Sequence, residues 1–236
     1  MVISAHQPYF CPYPGYFAKV MLSDVFVLLD SVQFPRGGSW IARNRFKNDS
    51  GVFWIAVPVW KKGRGLQKIN EVLVCNEGDW KRKHMESIRS SYARAPYLED
   101  HLPPFQQAFS DSSGKITGID RDMITHVAGY LDMPARVVLL SELGIHDSGT
   151  RLLVAICRDL GADRFLAFSS ARKYLDEGLF HEAGITVSFI NPPVLVYPQL
   201  WGDFIPNLSI YDLLFNCGKK AKDIMKKGYL KPGLPR

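Results

Sequence analysis

The chain has 236 residues, of which 47% are hydrophobic and 22% charged, and its formal net charge is +6. These values are ordinary for a globular protein that buries a core in one domain. No apolar run reaches the ~20 residues that span a bilayer, the N-terminus has no signal-peptide pattern, and the four cysteines are too scattered for a zinc site or a disulfide framework. We therefore expect a cytoplasmic protein without a metal site, and the composition indicates no particular cofactor.

The positive charge is concentrated in two segments. Residues 35–67 and residues 219–236 each carry a net charge of +6, so the rest of the chain is net acidic. A uniformly basic face, as expected of a protein that binds duplex nucleic acid, is not predicted. We interpret Lys219–Arg236 as a solvated basic tail, for which contact with anionic lipid headgroups is one role.

The first elements follow the order strand, helix, strand. Val2–Ala5 is predicted as a strand, Gly15–Leu22 as a helix, and Val25–Leu29 as a continuous apolar strand of the kind that parallel sheets bury on both faces. A proline-rich turn that begins His6-Gln7-Pro8 connects the first strand to the helix. This rhythm is typical of a wound α/β sheet.

Residues of about 35–134 differ in character and predict an antiparallel and helical insertion. Trp40–Lys47, Val52–Val59 and Ile69–Val74 are strand-like, and the first two are a hairpin turn apart. Apolar residues four apart predict a helix that begins at Trp80.

A further helix with Ile124, Val127 and Leu131 on its apolar face has Asp120 as a candidate N-cap. The second half of the chain again alternates strands and helices. Its predicted elements are Val137–Leu140, Thr150–Leu160, Arg164–Phe168, Tyr174–Ala183 and Ile185–Ile190. We therefore predict a single α/β domain over residues 1–218, with a largely parallel wound sheet.

Polar residues follow three of the predicted parallel strands. The residues are His6 and Gln7 after the first strand, Asp30, Ser31 and Gln33 after the second, and Ser169, Ser170 and Arg172 after the strand that ends at Phe168. Because ligands bind at the carboxyl edge of such sheets, these side chains are candidates for one site. His6 is a candidate general base and Asp30 the group that orients it. The alternatives are that His6 satisfies a backbone carbonyl in its turn and that Asp30 caps the turn after it.

Arg43-Asn44-Arg45, with Trp40 before it, is a second candidate cluster. Residues 43 and 45 of a strand project to the same face, and two guanidinium groups there suit a phosphate or carboxylate. The alternative is a strand edge that its charges protect from pairing. We interpret the cluster as a binding site for a ligand that carries phosphate, such as a nucleotide-linked sugar.

Near the C-terminus, Asn207 or Ser209 is predicted to begin a helix. Asp212 would lie in that helix among apolar neighbours, so its carboxylate is expected to be either paired, for example with an arginine, or functional.

These stretches, taken in order, resemble the WbqC-like protein family, and the resemblance covers the chain up to its basic tail. The matching stretches are His6-Gln7-Pro8-Tyr9-Phe10, Gly15-Tyr16-Phe17, Ser23–Asp30, Val32-Gln33-Phe34, Arg43-Asn44-Arg45, Val57-Pro58-Val59, Ile69-Asn70, Tyr197-Pro198-Gln199, Pro206–Ile210 and Asp212–Asn216. Tyr13 and Ala42 depart from the residues usual in the family, which bears on the shape of the ligand pocket. The resemblance adds Tyr197, Gln199, Asn207, Ser209 and Asp212 to the expected substrate-binding residues.

The family is associated with gene clusters for O-antigen and other surface polysaccharides, and transfer of glycine or another acyl group to a sugar has been suggested for it. The resemblance therefore implies a transferase that takes an acyl or aminoacyl donor and a nucleotide-linked sugar. Two alternatives remain open. One is a nucleotidyltransferase, since a histidine-containing turn between strand and helix resembles the start of such domains, which usually carry a second histidine there. The other is a non-catalytic protein that binds a nucleotide-linked sugar or acts as a scaffold.

Overall fold

A computed structural model describes residues 1–110 and 113–229, and in it the chain has the predicted α/β fold. The strands are β1 (Val2–His6), β2 (Val25–Leu28), β3 (Arg43–Asn48), β4 (Gly51–Ala56), β5 (Arg136–Leu139), β6 (Arg164–Phe168) and β7 (Thr186–Ile190). The α-helices are α1 (Pro14–Met21), α2 (Trp80–Ser91), α3 (Leu98–Phe109), α4 (Ile116–Tyr130), α5 (Leu140–Leu143), α6 (Gly149–Asp159), α7 (Glu177–Glu182), α8 (Ile210–Cys217) and α9 (Ala221–Tyr229).

Five strands form one parallel sheet in the order β5-β2-β1-β6-β7, which confirms the predicted wound sheet. From β1 the chain moves outward through β2 to β5, and it then returns to place β6 on the other side of β1. The order therefore reverses between β1 and β6. In sheets of this kind a crevice opens at the carboxyl ends of the two strands where the order reverses.

The sheet is buried on both faces because alternate residues of its central strands belong to different cores. In β2, Phe26 and Leu28 pack into a core with α1 and the helices of the insertion, whereas Val25 and Val27 pack into a second core with α6 and α7. All four residues are buried, so the apolar run that predicted this strand also explains its central place in the sheet.

The insertion contains the predicted antiparallel hairpin, β3 and β4, followed by α2, α3 and α4. The strand predicted at Ile69–Val74 is wrong in part, since Ile69–Glu71 forms a 3-10 helix. Its amides donate instead to the chain that follows β2, through Ile69 N to Val32 O at 3.0 Å and Asn70 N to Asp30 O at 2.8 Å. Helix α3 was not predicted because Pro103 and Pro104 lie inside it.

Other predicted boundaries also differ from the structure: the hairpin strands are shorter than predicted, and the helix predicted from Tyr174 begins at Glu177. Two further differences concern the insertion and the tail. Asp120 does not cap α4, because that helix begins at Ile116 and Asp120 lies inside it with no exposed surface. The predicted basic tail is not solvated from its start, because α9 extends to Tyr229 and buries Ala221, Met225 and Tyr229. Its apolar side packs against α1, α8 and the residues before α9. The remainder of the predicted tail, residues 230–236, lies outside the described residues.

No helix within residues 1–110 and 113–229 combines the length and the apolar character that crossing a membrane requires.

Candidate functional site

A cavity of about 440 Å³ opens where the carboxyl ends of β1 and β6 meet the hairpin. It is lined by His6, Tyr9, Tyr13, Trp40, Asn44, Arg45, Phe168, Ser170 and Asn207. His6 ends β1 and Phe168 ends β6, so the cavity occupies the crevice at which the strand order reverses. Six residues predicted from three separate parts of the chain and from the hairpin therefore meet here: His6, Trp40, Asn44, Arg45, Ser170 and Asn207.

A larger, open groove of about 800 Å³ runs along α6 and α7. Its walls carry side chains of both charges, including Arg151, Arg158, Asp159 and Glu182. None of the predicted site residues lines it, and it lies away from the carboxyl ends of β1 and β6. We therefore take the smaller cavity as the candidate site.

The turn that forms one wall of the cavity is held by Asn44. The Asn44 side-chain amide donates to Phe10 O at 3.0 Å and to Cys11 O at 2.8 Å, and Phe10 N donates to Trp40 O at 2.8 Å. Cys11 adopts a φ of 44°, which is uncommon for a residue other than glycine and persists where the surroundings hold it. Asn44 thus lines the cavity and also fixes the turn, which prepares the shape of the site before a ligand binds.

The His6 imidazole lies among aromatic rings at the base of the cavity. Its Nδ1 is 3.0 Å from Gln7 O, so Nδ1 carries the hydrogen and Nε2 has the free lone pair. This contact is the backbone interaction that the sequence left open as an alternative for His6. The rings of Tyr9, Tyr16 and Phe168 lie 4.7, 4.9 and 5.9 Å from the imidazole, each edge to face. Burial, with a smaller contribution from the Lys19 charge, lowers the pKa of His6 to about 3, so the ring is neutral at physiological pH.

The predicted pairing of His6 with Asp30 does not form. The Asp30 carboxylate accepts hydrogen bonds from Ser141 N at 2.9 Å and Ser141 Oγ at 2.6 Å. Asp30 is 1% exposed and does not line the cavity. It therefore fastens the start of α5 to the end of β2. The carboxylate has a structural role, but it binds the start of a distant helix instead of capping the turn after it.

Arg45 brings a cationic group to the cavity wall. Its Nη2 donates to Asn207 O at 3.0 Å, and its guanidinium lies 5.7 Å from the centre of the Trp40 ring. Its Nε is buried and has no hydrogen-bond partner in the described part of the chain. An unpaired buried donor on the wall of a cavity is a group that a ligand oxygen can satisfy.

The second arginine of the predicted pair lies outside the cavity. Arg43 and Arg45 project to one face of the hairpin as predicted, but the Arg43 guanidinium stacks 4.6 Å above the exposed Trp54 ring. The centres of the Trp54 and Trp40 rings are 5.6 Å apart, and Trp40 lines the cavity. Arg43 is therefore separated from the cavity by these two rings. Only Arg45 is placed for direct contact with a ligand inside the cavity.

Tyr197 and Asp212 have a structural role away from the cavity. Asp212 is fully buried and accepts hydrogen bonds from Tyr92 Oη at 2.7 Å and from Tyr197 Oη at 2.9 Å. The carboxylate is thus paired, as one of the two predictions for it required, but with two tyrosines instead of an arginine.

Five further candidates do not line the cavity. Gln199 bonds to both the N–H and the carbonyl of Ile205, and Ser209 caps α8. Ser169 Oγ donates to Ile190 O at 3.1 Å. The other two are Gln7 and Gln33. The backbone carbonyl of Gln7 accepts a hydrogen bond from Tyr16 Oη, and Gln33 is exposed and pairs with Lys68 in an isolated antiparallel β-bridge.

Sequence reasoning did not select Tyr9, Tyr13 or Phe168 as site residues. Tyr9 and Tyr13 flank the prolines of the turn, and Phe168 ends a strand directly before the predicted site residue Ser169. Proximity to those signals would have identified them. Within the described residues, no group of three or more histidine, cysteine, aspartate or glutamate side chains could hold a metal ion.

Comparison with known proteins adds a family to this geometry. The model of the WbqC-like protein family matches residues 7–224. The chain is also 32% identical, over 224 residues, to the uncharacterized protein Rv1507c of Mycobacterium tuberculosis (strain ATCC 25618 / H37Rv), and the match covers 93% of this chain and 95% of that protein. No solved structure matches the chain.

Proposed function

Because the chain belongs to the WbqC-like protein family, we propose that it is a cytoplasmic transferase of surface polysaccharide biosynthesis. In this proposal it adds an acyl or aminoacyl group, such as glycine, to a sugar carried on a nucleotide. The observation that carries the proposal is the meeting of the His6 imidazole and the unpaired Arg45 Nε on one cavity at the reversal of strand order.

The side chains that line the cavity favour a ligand that carries negative charge, hydroxyl groups and a planar ring. The Arg45 guanidinium suits a phosphate oxygen, and Ser170 and Asn207 add polar groups that can bind sugar hydroxyls. The Trp40 ring at the mouth offers an apolar face against which a base or a sugar ring can pack. A nucleotide-linked sugar combines all three kinds of group.

His6 is the proposed proton acceptor of the reaction. The amine or hydroxyl of the sugar attacks the acyl carbonyl, the new bond to carbon forms, and the bond from that carbon to the leaving group breaks. The proton of the attacking group moves to His6 Nε2, because Nδ1–H is occupied by Gln7 O. The neutral ring is the form that can accept a proton, although its low pKa makes it a weak base until the nucleophile becomes acidic during attack.

The proposal is tested by incubating the protein with a panel of nucleotide-linked sugars and acyl donors and following product mass. We expect His6→Ala to lower turnover about 100-fold or more, the usual contribution of a general base, and Arg45→Ala to raise KM for the nucleotide-linked sugar. Arg82→Ala, which alters an exposed arginine on α2, is the control. Full turnover by His6→Ala would overturn the assignment of the base. Tight binding without product would instead identify a non-catalytic binding protein.

Nucleotidyl transfer is the second candidate, and the sheet order favours it. If the five parallel strands are numbered 1 to 5 in chain order, the sheet order is 3-2-1-4-5, which matches five strands of the doubly wound fold that binds nucleotides where its strand order reverses. His6 lies at the end of the first of these strands. This reaction releases pyrophosphate from a nucleoside triphosphate, whereas acyl transfer to a sugar does not. Labelled nucleoside triphosphates with a pyrophosphate assay therefore separate the two candidates.

A further inference from the structure

A buried lysine lies beneath the cavity. Lys19 belongs to α1 and its side chain is only 5% exposed. Its ammonium donates to Ala5 O at 2.8 Å and lies 4.4 Å from the centre of the Phe168 ring. Ala5 directly precedes His6, and Phe168 lines the cavity. The amine therefore sits between the carboxyl ends of β1 and β6, behind the wall formed by His6 and Phe168.

This ammonium has no counterion in the described part of the chain. Its only polar contact there is the Ala5 carbonyl, although an ammonium has three N–H donors. A cation buried without a partner is costly, and burial lowers the pKa of Lys19 to about 7. An anion that entered the crevice would stabilise the charged amine.

The same charge acts on His6. Burial is the larger cause of the low pKa of His6, and repulsion from Lys19 is the second. Both groups lie at the carboxyl end of β1 and both approach the Phe168 ring. An anion that offsets the charge of Lys19 would therefore also make His6 easier to protonate.

We propose that Lys19 is a positioning residue of this site, whose ammonium is the buried cation that an anionic ligand group neutralises and whose charge opposes proton acceptance by His6 until that ligand binds. The ligand class is the diphosphate of a nucleotide-linked compound, so the inference rests on the proposed function. Before a ligand binds, the charge of Lys19 adds to the effect of burial, and both hold the imidazole in its neutral form. When the diphosphate binds, the repulsion is offset and His6 becomes a better base at the moment its substrate is present.

A purely structural role would be to tie α1 to β1 through Ala5 O. Loss of that tie would lower stability, but it would change neither the affinity for an anion nor the titration of His6. These two quantities therefore separate the roles.

Inorganic pyrophosphate is the probe for the first quantity, with binding measured by calorimetry at pH 6.5 and 8.5. We expect Lys19→Met to bind it about tenfold more weakly at pH 6.5, because the variant lacks the buried charge that attracts the anion through the cavity wall. The wild-type protein should bind more weakly at pH 8.5, where Lys19 loses its proton, and the ratio of wild-type to variant affinity should approach one. Ionisation of pyrophosphate itself cancels in that ratio.

The titratable groups that face α1 bear on this pH profile. The elements packed against α1 are β1, β2 and α9. The first presents His6, β2 is wholly apolar, and the buried face of α9 presents Tyr229. The pKa of His6 lies far below this pH range, and burial raises those of Tyr229 and of Tyr16 on α1 itself above their ordinary value of 10.0. The Asp120 carboxyl of α4 also acts on Tyr16, and burial raises the pKa of Asp120 well above 3.8. Asp120 is present in both the wild-type protein and Lys19→Met, so its effect cancels in the ratio of their affinities.

The control is Lys47→Met. Lys47 is 2% exposed, but its ammonium is satisfied by Asp203 O at 2.6 Å and Gln199 Oε1 at 3.2 Å. We expect Lys47→Met to be less stable than the wild-type protein but to show the same pH dependence of pyrophosphate binding.

The second quantity is the titration of the His6 ring, followed by NMR. We expect the pKa of His6 to rise in Lys19→Met, and to rise in the wild-type protein when pyrophosphate is added. If Lys19→Met does not fold, NMR of the Lys19 side chain in the wild-type protein replaces it, and pyrophosphate should raise the pKa of that amine.

Equal pyrophosphate binding by the wild-type protein and Lys19→Met, with weaker binding by Arg45→Ala, would overturn the role of Lys19 and leave the proposed function standing. Failure of the wild-type protein to bind any pyrophosphate or nucleotide-linked sugar would instead count against the proposed function.

Discussion

At the scale of single residues, Asp120 is the least satisfied group in the described part of the chain. It has no exposed surface, and neither carboxylate oxygen has a hydrogen-bond partner there. Buried polar groups are nearly always paired, and an unpaired carboxylate in an apolar site is expected to hold its proton. Burial accordingly raises the pKa of Asp120 well above its ordinary value of 3.8.

This predicts that Asp120→Asn is more stable than the wild-type protein at neutral pH. The unfolded chain releases the proton of Asp120 above about pH 4, whereas the folded chain retains it, so wild-type stability falls as pH rises toward the folded pKa at about 1.4 kcal/mol per unit. The variant has no proton to lose. Calorimetric melting temperatures at pH 4, 6 and 8 should diverge with rising pH, and parallel curves would contradict the prediction.

Some residues of the candidate site could be predicted from the sequence and others could not. His6 and Arg45 were identifiable because each belongs to a short pattern: an imidazole that directly follows an apolar strand, and an arginine on a basic strand with a tryptophan before it. Asp30 was assigned to His6 because both follow adjacent strands, but its partner, Ser141, lies 111 positions further along the chain. No local pattern contains that information.

At the scale of elements, α3 and α4 meet through two histidines. His101 Nδ1 lies 3.0 Å from His126 Nε2, so one ring must donate while the other accepts. Such a contact is lost when both rings are protonated. Burial lowers the pKa of both, for His101 to about 3, and His126 also contributes to the lowering at His101.

We therefore expect the free energy of unfolding to fall as pH drops below about 6.5, where the unfolded chain binds protons that the folded pair resists. His126→Gln removes one of these groups while keeping a donor and an acceptor, so it should lose less stability between pH 7 and 5. Urea unfolding at the two pH values measures the difference. His181→Gln, which changes an exposed histidine, serves as the control. If His126→Gln loses as much stability between pH 7 and 5 as the wild-type protein, the histidine pair is not the cause of the loss.

Elements were predictable where their own side chains decide their form. The apolar strands β1, β2 and β6 and the helices α1 and α6 lie within a residue or two of their predicted positions. The errors fall where distant partners decide. Residues 69–74 look like a strand, but the chain after β2 takes their amides and imposes a 3-10 turn.

At the scale of the whole molecule, Asp212 joins three distant segments. It lies on α8, Tyr92 follows α2, and Tyr197 lies in the segment after β7. Tyr92 Oη also accepts from Lys47 N on β3 at 2.9 Å. This buried network fastens the hairpin that carries Arg45 to the C-terminal part of the chain.

Tyr197→Phe should therefore cost about 1–3 kcal/mol of stability, because it leaves a buried carboxylate oxygen without its donor. Tyr174→Phe, which changes a tyrosine that is 76% exposed, is the matched control. Denaturant unfolding of both variants provides the measurement. A loss no greater than that of the control would show that the Asp212 network carries little of the stability.

The sheet class followed from the alternation of strands and helices, but the position of the crevice did not. It depends on β6 pairing with β1, and nothing within either strand specifies its neighbour.

The pairing of β1 with β6 also has a consequence for synthesis of the chain. One side of β1 stays unpaired until β6, which begins at Arg164, has left the ribosome, and at about 5–20 residues per second this wait is on the order of ten seconds. During translation the apolar strand at the centre of the finished sheet is therefore an open edge, and the nascent chain needs protection from aggregation there.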